Sequence, residues 1–216
     1  MHDYYLDTYG VILTNRRKDR FKLIEQAVSG KRVLDVGCVD HHASKEEESE
    51  WLHRVVVESA SDVVGLDFEK REVEELSARG YKVIFGDAEE VKLDMKFEVV
   101  VAGELIEHLS NPGRFLSNMR DHLVENGTIV LTTPNPFYPK RLMEIVWSGK
   151  AGVHPQHVMW YCPTTLAEIL RRAGFGEIKI VPFNNTERYR WLVSPLTKFR
   201  PWLSTQLFAS AKKIAV

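Results

Sequence analysis

The stretch Lys31 to Cys38, KRVLDVGC, together with an acid at Asp67 closing a second apolar run, limits the fold of this chain more than any other feature. Val33, Leu34 and Val36 form a short apolar run with no polar face at either the helical or the strand period. A strand buried on both sides of a parallel sheet reads this way. Gly37 ends the run where the chain must turn sharply and lie close to something. The charged, helix-forming segment Ser44 to Ala60 follows, acidic over Lys45 to Glu50 where the helix dipole favours it, with Trp51, Leu52, Val55 and Val56 as its buried stripe. Val63 to Leu66, closed by Asp67, repeats the strand signal. The order is strand, turn, helix, strand, acid, which sets a nucleoside across the strand ends with the acid at its ribose hydroxyls. After Gly37 the loop runs Cys38, Val39, Asp40, His41, His42, with no second glycine. A pyrophosphate needs glycines to approach the backbone, so a nucleoside without one fits better.

The rest of the chain continues the alternation. Arg71 to Arg79, stopped by Gly80, reads as a helix, Lys82 to Phe85 as a third strand entering Gly86-Asp87, and Phe97 to Ala102 as a fourth. Asn111-Pro112 opens a helix to about Val124, the proline suiting its first turn. Gly127 to Thr133 is a fifth strand, which Pro134, Pro136 and Pro139 prevent from continuing. Phe137 to Tyr161 is an excursion with a short amphipathic helix, Leu142 to Trp147; connections this long in a compact α/β domain are usually lids or binding loops. Pro163 to Ala173 is a helix stopped by Gly174, and Glu177 to Val181 a sixth strand. Residues 183 to 216 form an irregular, aromatic-rich tail with a last strand expected around Gln206 to Ala211. Residues 1 to 10 read as a loose arm and Val11 to Ser29 as one or two helices, so residues 1 to 30 make an N-terminal helical arm.

A chain of 216 residues, 44% hydrophobic and 27% charged, is expected to form one domain with a core that needs no staples. Its net charge of −1 exerts no global pull toward nucleic acid or an anionic membrane. Cys38 and Cys162 suggest reduced thiols in a cytoplasmic protein rather than a disulfide framework. MHDYYLDTYG lacks the apolar segment of a signal peptide, and no run approaches the roughly 18 apolar residues of a membrane span.

The fourth strand leads into GELIEH. If a helix follows, Glu104, Glu107 and His108 stand at i, i+3 and i+4 on one face. Two carboxylates and an imidazole there are candidate ligands for an oxygen-rich cation site such as Mg²⁺. Equally, Glu104 caps the loop and His108 packs against the core. Val153 to Tyr161, VHPQHVMWY, adds histidines where a lid over the strand ends would arrive.

VLDVGC, GLDF at Gly65 to Phe68, GDAEE at Gly86 to Glu90 and GELIEH resemble, in that order, the motifs of class I S-adenosylmethionine-dependent methyltransferases, over residues 20 to 182. The resemblance implies an α/β, Rossmann-like, doubly wound and mostly parallel sheet of seven strands, the last antiparallel. Helices flank it, and a lid insertion at 137 to 161 follows strand five. It implies S-adenosyl-L-methionine as cofactor, with Asp35 and Gly37 at the methionine part, Asp67 at the ribose, and Asp87 with Ala88 at the adenine. Cys38, Phe68 and Glu104 join the cofactor site. The family usually carries further glycines where this chain has Val39 and His41, so the loop either takes another path or holds the cofactor less tightly. E-x-x-E-H with a distant histidine is similar to ubiquinone-biosynthesis O-methyltransferases and small-RNA 2′-O-methyltransferases. That similarity implies Glu104, Glu107, His108 and His157 as holders of a divalent cation that orients a hydroxyl, with His154 a rival for the fourth place. Without metal, His108 or His157 is the candidate base; a metal-bound imidazole cannot also be the base in the same state.

Methyl transfer from a sulfonium is an in-line displacement, so catalysis comes from alignment and from stabilising the deprotonated nucleophile. The expected function is methylation of a hydroxyl on a small-molecule, sugar or quinone-type acceptor. Methylation of an RNA end is one alternative, disfavoured by the absence of excess positive charge. A non-catalytic nucleoside-binding module of the same fold is another, supported by Val39 and His41. Lesser candidates are Asp40, His41 and His42 near the cofactor and Trp147, Trp160 and Tyr161 as pocket walls. The basic runs are Arg16, Arg17, Lys18 and Arg20, and Arg188, Arg190, Lys198 and Arg200 among Tyr189, Trp191, Phe199 and Trp202. Oligomeric state is left open.

Overall fold

The computed structural model describes residues 5–6, 12–13, 20–39, 51–150, 152–184, 197 and 199–214. Its sheet contains β1 (Tyr5–Leu6), β2 (Ile12–Leu13), β3 (Arg32–Val36), β4 (Asp62–Asp67), β5 (Val83–Phe85), β6 (Phe97–Gly103), β7 (Leu123–Pro134), β8 (Phe175–Phe183) and β9 (Gln206–Lys213). The helices are α1 (Arg20–Val28), α2 (Leu52–Ser59), α3 (Lys70–Ala78), α4 (Pro112–His122), α5 (Pro139–Ser148) and α6 (Pro163–Arg172). The strand order is β1-β2-β8-β9-β7-β6-β3-β4-β5. From β5 through β7 the pairs are parallel, while β9 runs antiparallel between β7 and β8. Seven strands, β3 to β9, thus form the mixed Rossmann-like sheet with flanking helices that the motif order implies.

Alternation along the strands explains the two layers. Leu34, Val36, Val100, Ala102, Ile129 and Leu131 point to one face, where Phe115, Leu116 and Met119 of α4 and Leu166 and Leu170 of α6 cover them. Val33, Val99, Val101 and Val130 point to the other, beneath Leu23, Ile24 and Val28 of α1 and Val56 of α2. A third cluster gathers Cys38, Val39, Trp51, Val73 and Leu76 between the first loop and α3.

Three local expectations change. The arm is not wholly helical: Ile12–Leu13 pairs parallel with β8 and Tyr5–Leu6 antiparallel with Ile12–Leu13, extending what would otherwise be the sheet's open β8 edge. The buried stripe of α2 is Trp51, His53 and Val56 rather than Trp51, Leu52, Val55 and Val56. Strand β8 is longer than Glu177 to Val181, because its pairing with β9 reaches from Phe175 to Phe183. The acidic start of the second helix, Lys45 to Glu50, lies outside the described residues, as do Arg16, Arg17, Lys18, Asp40, His41, His42, Arg188, Tyr189, Arg190, Trp191 and Lys198.

Candidate active site

In a parallel sheet the carboxyl ends of the strands collect on one edge, and the loops there are where ligands bind. That edge here carries the turns after β3, β4, β5 and β6 and the long connection from β7 to α6. At the first turn Gly37 takes φ +77°, its amide donates to Leu66 O at 2.8 Å, and its bare α-carbon lies against Leu105. The chain then folds inward. The Val39 amide donates to Asp67 Oδ2 at 3.0 Å, the Glu69 amide to Asp67 Oδ1 at 3.1 Å, and the Trp51 indole to Cys38 O at 2.8 Å.

These bonds explain how the loop accommodates Val39 where further glycines were expected. Its side chain is buried in the Trp51, Val73 and Leu76 cluster. Asp67 is also buried, yet a carboxylate has about four lone-pair sites, so each oxygen that holds an amide retains capacity for a hydroxyl. Gly65 on β4 is required by the same packing, since a Cβ there would meet Cys38 Sγ at 2.7 Å and Val83 Cγ1 at 2.8 Å. Burial, followed by the Asp35 and Asp67 carboxylates, pushes the Cys38 thiol far up, so Cys38 is a packing thiol.

Asp35 is fully buried, and its Oδ2 lies 2.7 Å from His53 Nδ1. The chain pattern did not point to His53; a lone imidazole in LHRVVVES gives no sign of which face is buried. Phe68 is 65% exposed beside Asp67, an aromatic face left open at the strand ends. Asp87 Oδ1 accepts from the Glu89 amide at 2.8 Å and closes the turn after β5, while Ala88 is buried with its carbonyl held by Asn118 Nδ2 at 3.0 Å.

After β6 the expected helix does not form through Glu104. That residue sits at φ +54°, with its amide donating to Thr132 O at 2.9 Å, and only Ile106–His108 make a 3₁₀ turn. Glu104, Glu107 and His108 therefore do not line one helical face. Glu107 is buried and accepts from Thr133 Oγ1 at 3.0 Å. Burial first, with the Glu104 carboxylate adding to it, raises its carboxyl to about 7. Burial also raises the Tyr161 phenol to about 12.

The β7–α6 connection lies on this turn. Its root is Asn135, whose Nδ2 donates to Trp202 O and Ser204 O at 2.7 Å each and whose Oδ1 accepts from the Phe137 amide at 3.1 Å. Helix α5 faces inward with Arg141, which donates to Asn135 O and Gly152 O and stacks 4.2 Å over the Trp160 ring. Its Leu142, Met143, Ile145, Val146 and Trp147 are exposed. Further on, the His157 amide donates to His154 O at 3.0 Å, and the Val158 and Met159 amides both donate to Glu107 O.

This arrangement gathers His108, His154 and His157, with ring centroids 4.6 Å (108–157), 5.3 Å (154–157) and 5.8 Å (108–154) apart. One nitrogen from each lies within 4.8 Å of the others. Among the described residues, no comparably close group of three or more donors includes Glu104 or Glu107. Among the described residues the two glutamates are not gathered with the histidines as closely as the three imidazoles are with one another. Burial, then the neighbouring His108 and His154, lowers His157 to about 4.

The fold and the turns at these strand ends are those of the methyltransferase class. The comparisons agree: the family described as a methyltransferase domain matches residues 13–179, and the chain belongs to the class I S-adenosylmethionine-dependent methyltransferases. A probable S-adenosylmethionine-dependent methyltransferase of Mycolicibacterium smegmatis is 27% identical over 160 residues, 72% of this chain and 56% of that protein. A ubiquinone biosynthesis O-methyltransferase of Psychrobacter arcticus is 25% identical over 202 residues, 86% of this chain and 71% of that protein. The crystal structure of a SAM-dependent methyltransferase from Archaeoglobus fulgidus superposes with TM-score 0.66 at 21% identity, covering 90% of this chain and 91% of that one. The chain thus spans little more than half the length of the first of these relatives. No helix among the described residues is long and apolar enough to cross a membrane.

Proposed function

We propose that this protein transfers the methyl group of S-adenosyl-L-methionine to a hydroxyl of a small-molecule acceptor held between the strand ends and the β7–α6 connection, which acts as a lid. The observation that carries this is the double donation of Val158 and Met159 to Glu107 O, which fixes the histidine-bearing segment beside the end of β6. The cofactor, when bound, supplies an electrophilic methyl group and a neutral thioether leaving group. Asp67, with its unused lone pairs, would hold the ribose hydroxyls, Asp35 and Gly37 would border the methionine part, and Phe68, Asp87 and Ala88 would surround the adenine.

The acceptor's oxygen would attack the methyl carbon in line as the carbon–sulfur bond breaks and its electron pair passes to sulfur. In the metal-free state a neutral imidazole, His157 or His108, would take the hydroxyl proton. Met159 and Trp160 are partly exposed on this segment while Tyr161 packs into the core, and an exposed thioether and indole favour a ring-bearing, quinone-type acceptor over a sugar. The similarity to a ubiquinone biosynthesis O-methyltransferase points the same way.

The test is transfer of a labelled methyl group from S-adenosylmethionine to a panel of catechols, hydroquinones, sugars and amines. Labelled catechol or hydroquinone is the expected product. Labelling of amines alone would overturn the hydroxyl assignment.

A further inference from the structure

We propose that His108, His154 and His157 form a binding site for a borderline transition cation such as Zn²⁺, Co²⁺ or Ni²⁺, in preference to Mg²⁺. The donor set is three imidazoles, and it differs from the combination of Glu104, Glu107, His108 and His157.

The site is built by backbone. The 3.0 Å bond from the His157 amide to His154 O closes a four-residue turn, with Pro155 where proline's fixed φ favours turning. The turn brings the two lid imidazoles to one side. The two amides that follow it are both held by Glu107 O, one residue before His108, and this sets the third imidazole against the first two.

A tetrahedral ion with nitrogen ligands at about 2.0 to 2.1 Å needs those nitrogens about 3.3 Å apart. The observed separations are all within 4.8 Å, so a bound ion would draw the three rings closer together. His154 Nδ1 accepts a bond from the Gln156 amide at 3.4 Å, a long bond that a cation can displace.

Donor chemistry sets the preference. Mg²⁺ takes hard oxygen ligands in octahedral geometry, whereas imidazole suits zinc, cobalt and nickel. Arg141 adds positive charge near His157, but its guanidinium is held by Asn135 O, Gly152 O and the Trp160 ring. The half-buried Glu104 side chain lies on the same turn. Three protein ligands also leave a position for water or for an oxygen of the acceptor. Only that last use rests on the methyl-transfer reading.

The experiment is calorimetric titration of the full chain, without a polyhistidine tag, with Zn²⁺, Co²⁺ and Mg²⁺ separately, and visible spectroscopy of the Co²⁺ form. One equivalent of Zn²⁺ or Co²⁺ should bind, on the order of 100-fold more tightly than Mg²⁺, with the visible bands of imidazole-ligated Co²⁺. His154→Ala, at an exposed position and checked by circular dichroism, should weaken Zn²⁺ binding by at least about tenfold and leave S-adenosylhomocysteine affinity unchanged. Equal affinity for Mg²⁺ and Zn²⁺ would overturn the site, as would Zn²⁺ binding that His154→Ala leaves intact. If Zn²⁺ binds and S-adenosylhomocysteine does not, the site stands and the methyl-transfer reading falls. If S-adenosylhomocysteine binds and Zn²⁺ does not, the methyl-transfer reading stands and the site falls.

Discussion

The two halves of the strand-end surface satisfy their polar groups in opposite ways. Over β3, β4 and β5 each acid is already answered: Asp67 by two backbone amides, Asp35 by His53, and Asp87 by the Glu89 amide. Around β6 and β7, Arg20 Nε, Glu104 Oε1, Glu107 Oε1 and Thr132 Oγ1 are buried with no hydrogen-bond partner among the described residues. A buried polar atom left unpaired costs about 1–3 kcal/mol, so the second half carries a cost that the first does not. The difference separates a region whose buried acids are already paired from one that keeps buried polar atoms without a partner.

This contrast can be broken at either end. The largest effect is expected on the reacting side: His157→Ala should lower kcat by about 10² to 10⁴-fold while leaving S-adenosylhomocysteine affinity within error, because imidazole proton transfer contributes about that much. Steady-state kinetics beside calorimetry would check it, and a parallel loss of cofactor affinity would merge the two halves.

Asp67→Ala should do the reverse. It removes the acid proposed to hold the ribose and strands the buried Val39 amide, so cofactor binding should be lost and stability should fall by about 1–3 kcal/mol in urea unfolding. Retained cofactor affinity would show that the cradle is not centred on this acid. Gly65→Ala sharpens the same point through packing alone, forcing Cys38 and Val83 apart at a cost of about 1–3 kcal/mol. The smallest change is expected at Trp147, 89% exposed on α5, where Trp147→Ser should shift stability by no more than about 0.5 kcal/mol. A larger loss would mean that the outward face of α5 is covered.

The cradle was legible because its signals are local. An apolar run, a glycine and a terminal acid each specify backbone that the next few residues complete, and β3, β4 and the Asp67 position follow directly. The mostly parallel seven-stranded sheet with an antiparallel last strand followed from the resemblance that the motif series carries. The β7–α6 connection was legible only in outline. That Glu107 O would receive the amides of Val158 and Met159 depends on residues far apart in the chain, and local periodicity carries no trace of such a contact. The spacing of Glu104, Glu107 and His108 suggested a helical face, and the left-handed backbone at Glu104 removed it. His53 was missed for a similar reason: its partner Asp35 lies 18 residues away, and only the tertiary fold turns that imidazole inward. The strands at Ile12–Leu13 and Tyr5–Leu6 are two residues each, too short to show a period.

The most direct measurement of the central claim is calorimetric titration of S-adenosylhomocysteine into the purified protein. One equivalent should bind, and the binding should disappear in Asp67→Ala. A flat titration of the folded wild-type chain would contradict the account, because the Val39 and Glu69 amides already hold Asp67 in place for the nucleoside it is proposed to bind.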